Sequence, residues 1–376
     1  MLSTENHLRY QRQIQLKEFG VAAQIKLFDA KVLIIGAGGL GCPALQYLAA
    51  AGIGTIGIVD FDVVDISNLQ RQILYTTDDI GKSKVKTAAE RIKQLNPDIQ
   101  INILNLKLQN KNALEIISAY DLVIDGSDNF STRYLINDAC VLLNKPFIYG
   151  AVLRFEGQVG VFNFEENNSN IKTNYRDLFP EPPVENTILS CNEAGVLGVV
   201  PALIGTMQAT EAIKIITGIG KPICNKIISY NVLNNEMHEF EIFSDEKSKS
   251  KMPKNEKEFL AFNYDWICGV SHVSNEISAE NFDLLIAGNK ITVIDVRELS
   301  ELPIVSEFPN IKIPMNELEE KISALKIADT IVVFCQTGIR SLNAVKIINK
   351  IIPNASVSSL HGGIIEWKKH QNKIHI

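Results

Sequence analysis

A glycine-rich loop, GAGGLG, constrains this sequence most, because it lies between an apolar run and a helical pattern. The run covers residues 31–35 and the helical pattern covers residues 43–51. Gly36, Gly38 and Gly41 have the G-x-G-x-x-G spacing, which permits a tight turn and lets a helix N-terminus approach a phosphate. The loop therefore predicts a nucleotide site on a βαβ unit, with a ligand-free glycine turn as the alternative.

Strand and helix patterns alternate through the first half of the chain. We predict further strands at residues 55–60, 101–106, 121–125 and 147–149, and a helix at residues 82–95. This spacing is typical of a Rossmann-like α/β fold with a doubly wound, mostly parallel sheet. Residues 157–164 and 226–243 alternate with period two, which predicts antiparallel strands that extend the sheet, with a hairpin at residues 234–235. Residues 172–190 predict a long surface segment.

A charged stretch separates this pattern from a second, smaller one. Residues 244–257 (SDEKSKSKMPKNEK) are almost devoid of apolar side chains, which is typical of a solvated linker. We predict strands at residues 291–294 and 330–334 and a helix at residues 341–350 in a second α/β pattern. The expected organisation is a first domain at 1–243, a linker at 244–276 and a second domain at 277–376.

Composition excludes several classes of protein. The 376 residues carry a net charge of −6, with 37 basic and 43 acidic side chains, which argues against bulk nucleic-acid binding. The longest uncharged apolar stretch, residues 196–207, is shorter than the roughly 20 residues that span a bilayer. Six cysteines without paired spacing indicate a reduced compartment. We expect a cytoplasmic protein that binds neither nucleic acid nor a membrane.

Polar residues follow neighbouring strands of the predicted sheet. Asp60 ends the second strand, where a carboxylate can bind ribose hydroxyls. The further candidates are Asn68, Arg71, Lys84, Asp128 and Asn129. Cations and a carboxylate at the carboxyl ends of neighbouring strands suit a triphosphate and its Mg²⁺, whereas hydride transfer requires none of them. Each residue singly could be a helix cap or a solvated charge, so the prediction rests on their convergence on one edge.

The motifs of the first domain resemble the MoeB/ThiF family of adenylating enzymes, which are similar to ubiquitin-activating enzymes. The motifs are RYQRQ (9–13), GAGGLG (36–41), DFDVVDISNLQRQ (60–72), GKSK (81–84), DGSDNF (125–130) and CNEAGVLGVVPALIG (191–205). They cover residues 8–243 in one order. The resemblance implies ATP-dependent adenylation of the C-terminal glycine of a ubiquitin-like sulfur carrier, MoaD-like or ThiS-like, in molybdopterin or thiazole biosynthesis.

The resemblance also implies roles for individual residues. The residues implied to bind ATP and Mg²⁺ are the loop glycines, including Gly39, with Asp60, Asn68, Arg71, Lys84, Asp128 and Asn129. Asp128 is the implied Mg²⁺ ligand. Arg12 would reach across a homodimer into the phosphate site of the partner subunit. No general base is required, because the attacking carboxylate is already an anion at neutral pH.

The sequence departs from the family pattern at the structural zinc site. Many members bind zinc through two C-x-x-C pairs, and one pair corresponds here to NYRD at residues 174–177. The second pair would fall at residues 244–259, where cysteine is also absent. Because four thiolates form such a tetrahedral site, we predict no zinc.

Cys191 corresponds to a cysteine that some relatives use for a covalent link to their carrier, although the residue is dispensable in others. A small buried hydrophobe near the start of a helix is the alternative interpretation. A catalytic role for Cys191, as an acyl or disulfide acceptor, is therefore conditional.

The second domain has a cysteine between a strand and a helix. Cys335 precedes a loop whose backbone N–H groups can hold an anion, and whose residues are Gln336, Thr337, Gly338, Ile339, Arg340 and Ser341. A structural cysteine at a strand end is the alternative. With residues 294–298 and 361–367, this loop resembles rhodanese sulfurtransferases over residues 277–367, which implies a persulfide on Cys335. The segment after residue 295 is shorter than usual, which weakens the expectation of a small-molecule thiosulfate site.

The two halves together predict one chain that activates and sulfurates its carrier. A persulfide sulfur can displace AMP from an adenylated carboxyl group, and reduction then leaves a thiocarboxylate. A persulfide donor such as a cysteine desulfurase is the expected second partner.

Two alternatives stay open at this point. An NAD-dependent oxidoreductase with an appended rhodanese would need a hydride-handling side chain, yet no histidine occurs between His7 and His238. A non-catalytic carrier-binding scaffold would have a degenerate ATP site. The presence of Arg12, Arg71, Lys84 and Asp128 argues against it.

Overall fold

The computed structural model describes residues 3–165, 172–181, 195–264, 276–288, 291–322, 330–352 and 355–374. The chain divides into two compact units, Met1–Val270 and Ser271–Ile376. Each unit has its own sheet and its own buried core.

The first unit is built on one sheet. Its described strands are β1 (Lys31–Ile35), β2 (Thr55–Val59), β3 (Gln100–Leu104), β4 (Leu122–Asp125), β5 (Phe147–Leu153), β6 (Glu156–Phe162), β7 (Lys226–Asn231) and β8 (Glu236–Glu241). Their order is β3-β2-β1-β4-β5-β6-β7-β8, parallel from β3 to β5 and antiparallel from β5 to β8. The predicted mostly parallel sheet with an antiparallel extension and a β7–β8 hairpin is confirmed.

Helices cover both faces of this sheet. The described helices of the first unit are α1 (Thr4–Ile14), α2 (Gly20–Asp29), α3 (Gly41–Ala51), α4 (Lys84–Leu95), α5 (Asn110–Ser118), α6 (Phe130–Leu142), α7 (Tyr175–Leu178), α8 (Val199–Thr217), α9 (Glu246–Ser250) and α10 (Glu256–Ala261). The sequence of β1, KVLII, is buried at its last four positions, as a parallel strand covered on both faces requires. Helix α3 is rich in Ala and Leu and ends at Gly52, whose left-handed backbone (φ +87°) stops the helix.

Helix α8 is long and apolar enough to cross a membrane by length and composition alone. It packs instead against α3 and the sheet, and it buries polar side chains there. The amide Nε2 of Gln208 donates to the carbonyl oxygens of Asp125 (2.7 Å) and Ile148 (3.2 Å), and Glu211 is also buried. The apolar composition of α8 therefore reflects its position in the protein core.

Residues 244–264 differ from the expected solvated linker. They contain α9 and α10, and both pack against the first unit. Phe259 is fully buried in its core, and the Tyr264 hydroxyl donates to Oδ2 of Asp138 at 2.9 Å. A few aromatic and hydroxyl side chains are enough to hold a charged segment against the core. The average composition of the segment does not reveal these contacts.

The second unit has a smaller parallel sheet. Its described strands are β9 (Glu276–Ile277), β10 (Ile291–Asp295), β11 (Ile311–Lys312), β12 (Thr330–Phe334) and β13 (Ser356–Leu360), in the order β11-β10-β12-β13-β9. Its described helices are α11 (Ala279–Ala287), α12 (Leu318–Ile322), α13 (Ile339–Ile351) and α14 (Gly363–Ile374). The predicted second α/β domain is confirmed, and its central strand β12 leads directly into the cysteine loop.

Candidate active sites

The glycine loop lies between the end of β1 and the start of α3. Gly36 has a φ of +95°, and a Cβ there would stand 2.5 Å from the carbonyl oxygen of Gly126. A Cβ on Gly41 would stand 2.0 Å from the carbonyl oxygen of Gly36. Only glycine fits at both positions, so the backbone is bare where the first turn of α3 presents its N–H groups. This geometry can cradle a phosphate.

Two side chains fasten the loop to neighbouring elements. The carboxylate of Asp60 accepts hydrogen bonds from the backbone N–H groups of Ala37 and Asp62, each at 2.8 Å. The hydroxyl of Tyr75 donates to the carbonyl oxygen of Ala37 at 2.8 Å and lies 3.3 Å from that of Lys84. The loop, the end of β2 and the start of α4 therefore form one hydrogen-bonded assembly.

Lys84 is buried in the first turn of α4. Its Nζ forms an ion pair with Oδ2 of Asp62 at 3.0 Å, and its backbone N–H donates to the Asp62 carbonyl oxygen at 3.0 Å. A buried ammonium needs such a partner. Sequence analysis did not identify Asp62, although its position two residues after Asp60 in DFD could have indicated it.

Asn68 and Arg71 follow β2 on the turn that faces the loop. Oδ1 of Asn68 accepts a hydrogen bond from the N–H of Asp65 at 3.2 Å, so its amide partly serves as a cap. A Cβ on Gly39 would lie 3.5 Å from Cγ of Arg71. The structure therefore brings Arg71 against the glycine loop.

Gln72 is a buried residue of this site that sequence analysis missed. Its Nε2 lies 3.6 Å from the position that a Cβ on Gly38 would take. Its Oε1 is buried and has no hydrogen-bond partner among the described residues. An unsatisfied buried oxygen costs roughly 1–3 kcal/mol, which a ligand in the loop can recover by donating a hydrogen bond. Gln72 is identified as a site residue by its burial beside the loop, and the sequence does not show that burial.

Asp128 and Asn129 follow β4 and are exposed. Because β4 pairs in parallel with β1, both residues lie at the edge of the sheet that carries the glycine loop. Oδ1 of Asn129 accepts a hydrogen bond from the N–H of Thr132 at 2.9 Å and caps α6. The carboxylate of Asp128 therefore faces solvent at the predicted edge, while Asn129 has a structural contact of its own.

A buried ion pair supports this edge from inside the protein. Nε of Arg133 donates to Oδ2 of Asp125 at 2.8 Å, and Nη2 donates to the carbonyl oxygens of Ser127 (3.3 Å) and Gly150 (3.2 Å). Burial opposes the charge of the guanidinium, but the adjacent Asp125 carboxylate raises the pKa of Arg133 above its ordinary value. The pair fixes the strand end that precedes Asp128, and sequence analysis did not predict it.

Arg12 is not brought to the glycine loop of its own chain. It lies exposed on α1, and no hydrogen bond or ion pair reaches its side chain within the described part of the chain. Helix α1 contacts the far end of α3, because Nε2 of Gln13 donates to the carbonyl oxygen of Ala51 at 2.9 Å. The eleven residues of α3 separate that end from the loop by about 16 Å.

Cys335 lies at the end of β12 and is fully buried. The N–H of Gly338 donates to its Sγ at 3.2 Å, and the hydroxyl of Ser341 lies 3.6 Å from the same atom. Gly338 has a φ of +95°, which turns the chain into α13. Ser341 is itself held by Ser359, at an oxygen–oxygen distance of 2.8 Å. The loop thus encloses the sulfur with a backbone donor and a hydroxyl.

The remaining loop side chains point to other partners. Both terminal nitrogens of Arg340 donate to the carboxylate of Glu301, at 2.5 and 2.6 Å. Oε1 of Gln336 accepts a hydrogen bond from Nη1 of Arg297 at 3.3 Å. Thr337 and Ile339 are exposed. The structure therefore places all six predicted loop residues around Cys335, but it pairs Arg340 with a carboxylate that sequence analysis missed.

Of the other cysteines, some are buried thiols and some lie outside the residues that the structure describes. Burial raises the pKa of Cys42 to about 12 and that of Cys140 above its ordinary value, so neither is a nucleophile at neutral pH. Cys191 lies outside the described residues, as does Cys268.

The two segments in which the family carries its zinc ligands are joined here by hydrogen bonds. The N–H and Nδ2 of Asn174 each donate to Oδ2 of Asp177 at 2.8 Å. Oδ1 of Asp177 accepts from the N–H of Asp245 at 3.0 Å and from the hydroxyl of Ser248. We call these four residues the polar clasp. They offer no thiolate, so they do not fit a Zn²⁺ site of the family type.

Magnesium has a different requirement. Among the described residues, no group of three or more His, Cys, Asp or Glu side chains could hold a metal ion alone. Mg²⁺ bound with a nucleotide usually takes one or two carboxylates, with phosphate oxygens and water completing its octahedron. One exposed carboxylate at the phosphate edge, that of Asp128, fits this mode of binding.

Comparisons with known proteins agree with this geometry. Residues 10–252 match the ThiF family, and residues 278–370 match the rhodanese-like domain. The chain is 42% identical, over 98% of its length and 94% of the relative, to the probable adenylyltransferase/sulfurtransferase MoeZ of Mycobacterium tuberculosis. It is 34% identical to adenylyltransferase and sulfurtransferase MOCS3 of Xenopus laevis, over 98% of this chain and 88% of that one.

Two further comparisons each cover part of the chain. The sulfur carrier protein adenylyltransferase of Thermus thermophilus is 49% identical over 60% of this chain and 83% of its own. The crystal structure of E. coli MccB with MccA-N7isoASN has a TM-score of 0.56, covers 65% of this chain and 73% of that one, and shares the fold at 24% identity. The alternative of an NAD-dependent oxidoreductase is therefore wrong. The chain belongs to the ThiF family and is an adenylyltransferase with a C-terminal rhodanese-like sulfurtransferase domain.

Proposed function

We propose that this enzyme adenylates the C-terminal glycine of a ubiquitin-like sulfur carrier and then transfers sulfur to it. The observation that carries the proposal is the assembly of the bare glycine loop, Arg71 and buried Lys84 at one edge of the sheet. A relative named sulfur carrier protein adenylyltransferase and another named molybdopterin-synthase adenylyltransferase support the choice of substrate. MoaD-like and ThiS-like carriers, of molybdopterin and thiazole biosynthesis, are the candidates.

The proposed ATP site uses residues at the glycine-loop edge of the sheet. The loop glycines would receive the phosphates, Asp60 the ribose hydroxyls, and Arg71 and Lys84 the negative charge of the triphosphate. Asp128 would hold Mg²⁺, which neutralises phosphate charge and assists departure of pyrophosphate. The unsatisfied Oε1 of Gln72 supports a ligand in the loop.

The first chemical step needs positioning and fixed charge more than proton transfer. The carrier carboxylate attacks the α-phosphorus, the bond to the β-phosphate breaks, and pyrophosphate leaves with the electron pair. Negative charge develops on the phosphoryl oxygens as the bonds change. Cations already held in place, such as Lys84 beside Asp62, stabilise it without reorganising at the moment of reaction.

Arg12 enters this site from a second copy of the chain. Its own α1 lies at the opposite end of α3 from the glycine loop, and its guanidinium lacks an intramolecular partner among the described residues. A homodimer that places α1 of one subunit beside the loop of the other would complete both sites.

The second step uses Cys335. A donor such as a cysteine desulfurase would leave a persulfide there, held by the N–H of Gly338 and the hydroxyl of Ser341. The terminal sulfur attacks the carrier acyl adenylate, the acyl–oxygen bond breaks and AMP leaves, which forms an acyl disulfide. A thiol then attacks the Cys335 sulfur, releases the carrier thiocarboxylate and forms a disulfide with Cys335. Cys191 is a conditional candidate for that thiol.

Two of the relatives are named as adenylyltransferase and sulfurtransferase, and reduced thiols are central to the proposed chemistry. A cytoplasmic location suits both, because thiols stay reduced there. The chain needs neither a membrane nor a nucleic acid for this activity. A non-catalytic scaffold is excluded, because the chain belongs to a family of adenylyltransferases, so the open question is which carrier it activates.

Carrier-dependent exchange of labelled pyrophosphate into ATP tests the proposal. Each candidate carrier from the same genome is added with ATP and Mg²⁺, and a carrier that lacks its terminal glycine serves as the control. We expect exchange with one intact carrier and none with the truncated one. Absence of exchange with every MoaD-like and ThiS-like carrier would overturn these carriers as the substrates.

A further inference from the structure

The charges around Cys335 balance one another. The one cation in the loop of residues 336–341 is Arg340, and Glu301 binds it in a two-pronged ion pair. Oε1 of Glu301 also accepts a hydrogen bond from the N–H of Glu298 at 2.8 Å, which holds the carboxylate on its own turn. The guanidinium is therefore not available as an uncompensated positive charge.

The other cations near this turn are also engaged. Arg297 is fully buried and forms an ion pair with Asp295, Nη2 to Oδ2 at 2.8 Å. Nζ of Lys312 donates to the carbonyl oxygen of Leu299 at 3.3 Å. Arg297 and Arg340 are thus ion-paired, and the remaining cation, Lys312, is equalled in number by one further anion of the segment, Glu298. On the neighbouring strand end, His361 is paired with Glu276.

The Glu301–Arg340 pair is ionised at neutral pH. Hydrogen bonds from Arg340 lower the pKa of the Glu301 carboxyl to about 2, against its partial desolvation. The Glu301 carboxylate therefore keeps its charge throughout the pH range in which the enzyme would be assayed. A small dianion that approaches Cys335 meets a neutral ion pair where a free guanidinium would attract it.

We propose that Glu301 sets the sulfur-donor specificity of the second domain by neutralising Arg340, so that Cys335 discriminates against thiosulfate. This inference rests on the proposed role of Cys335 as a persulfide carrier. With thiosulfate, the Cys335 thiolate would attack the outer sulfur, the S–S bond would break, and sulfite would leave with the electron pair. A persulfide on a protein cysteine transfers sulfur in the same way, but brings one negative charge to the loop instead of two.

Glu301→Gln tests this, because it removes the charge and keeps the size and a hydrogen-bonding side chain. Glu319→Gln, at an exposed position of α12, is the matched control. Persulfide formation on Cys335 is measured by peptide mass spectrometry with thiosulfate and, separately, with cysteine persulfide. We expect Glu301→Gln to increase the rate with low thiosulfate about tenfold, by lowering KM more than it raises kcat, and to change the rate with cysteine persulfide far less.

A second measurement reads the local charge without sulfur transfer. The rates at which an anionic methanethiosulfonate, the sulfonatoethyl reagent, and a cationic one, the trimethylammonioethyl reagent, modify Cys335 are compared. Their ratio should shift toward the anionic reagent in Glu301→Gln and stay unchanged in Glu319→Gln. An unchanged ratio together with an unchanged KM for thiosulfate would overturn the role of Glu301 while Cys335 still accepts sulfur. Absence of a Cys335 persulfide with either donor in every variant would instead refute the proposed function, and the inference with it.

Discussion

At the scale of single residues, the buried ammonium of Lys84 is the feature most specific to phosphate chemistry. Burial of a lysine is costly, and one ion pair with the half-exposed Asp62 returns only part of that cost. Such an arrangement is typical of a cation held ready for an anionic ligand. Lys86 lies two residues further along the same helix and is exposed, so it can serve as the control position for Lys84.

Lys84→Ala should reduce carrier-dependent pyrophosphate exchange by about 10²-fold or more, because loss of one preorganised charge-stabilising group typically costs that much. Asp128→Ala should have an effect of similar size through the loss of a Mg²⁺ ligand. Lys86→Ala should leave the exchange rate within about twofold of the wild type. Exchange at the normal rate in both Lys84→Ala and Asp128→Ala would contradict the assignment of the ATP site.

At the scale of secondary-structure elements, the sequence was most informative where periodicity and glycine spacing act together. The loop at residues 36–41 and its flanking β1 and α3 were predictable because both steric closeness and φ above zero demand glycine there. The placement of Arg71 against the loop followed from the parallel topology. Gln72, Asp125 and Arg133 were not predictable, because their importance depends on burial and on partners distant in the sequence.

The segment at residues 172–181 shows the same limit. Its composition predicts surface, yet Tyr175 and Arg176 are buried. Nε and Nη2 of Arg176 donate to the two carboxylate oxygens of Asp138, at 2.8 and 2.7 Å, and its guanidinium lies 4.7 Å from the ring centroid of Tyr134. A pair of this kind joins residues 38 positions apart, so local composition carries no trace of it.

The polar clasp joins the two segments that zinc joins in other family members, and its contribution to the free energy of unfolding can be measured. Asp177→Ala removes the acceptor for Asn174, Asp245 and Ser248, and should lower the free energy of unfolding by about 1–3 kcal/mol. Glu246→Ala, whose side chain is exposed on α9, should change it by less than about 0.5 kcal/mol. Chemical denaturation of both variants measures the difference.

Metal analysis completes this test. Purified protein should contain no stoichiometric zinc, and a chelator should not shift its unfolding midpoint. About one zinc per chain by elemental analysis would show that another set of residues replaces the missing thiolates.

At the scale of the whole molecule, the proposed homodimer shares each adenylation site between two subunits. If Arg12 acts in the partner subunit, Arg12→Ala and Lys84→Ala variants should each be inactive alone. Mixed heterodimers should regain up to about half of the activity of one wild-type dimer, because one of the two composite sites is then intact. Inactive mixtures in which heterodimers are shown to form, for example by tagged co-purification, would place Arg12 outside the site.

The proposal also assigns the two half-reactions to different units. In the proposed mechanism, adenylation uses groups of the first unit, whereas sulfur transfer uses Cys335 of the second. The hydrogen bonds that surround the Cys335 sulfur come from Gly338 and Ser341 and involve no residue of the first unit. The half-reactions should therefore be separable by one substitution.

The most direct test of the central claim is the fate of the carrier with Cys335→Ser. This variant should retain carrier-dependent pyrophosphate exchange but form no thiocarboxylate from a persulfide donor, and Cys191→Ala tests the conditional role of that cysteine in parallel. Mass spectrometry of the carrier reads the outcome, because exchange of the terminal oxygen for sulfur adds about 16 Da. We predict that the wild type gives the heavier carrier and that Cys335→Ser leaves it unchanged. Thiocarboxylate formed by Cys335→Ser at the wild-type rate would contradict the account.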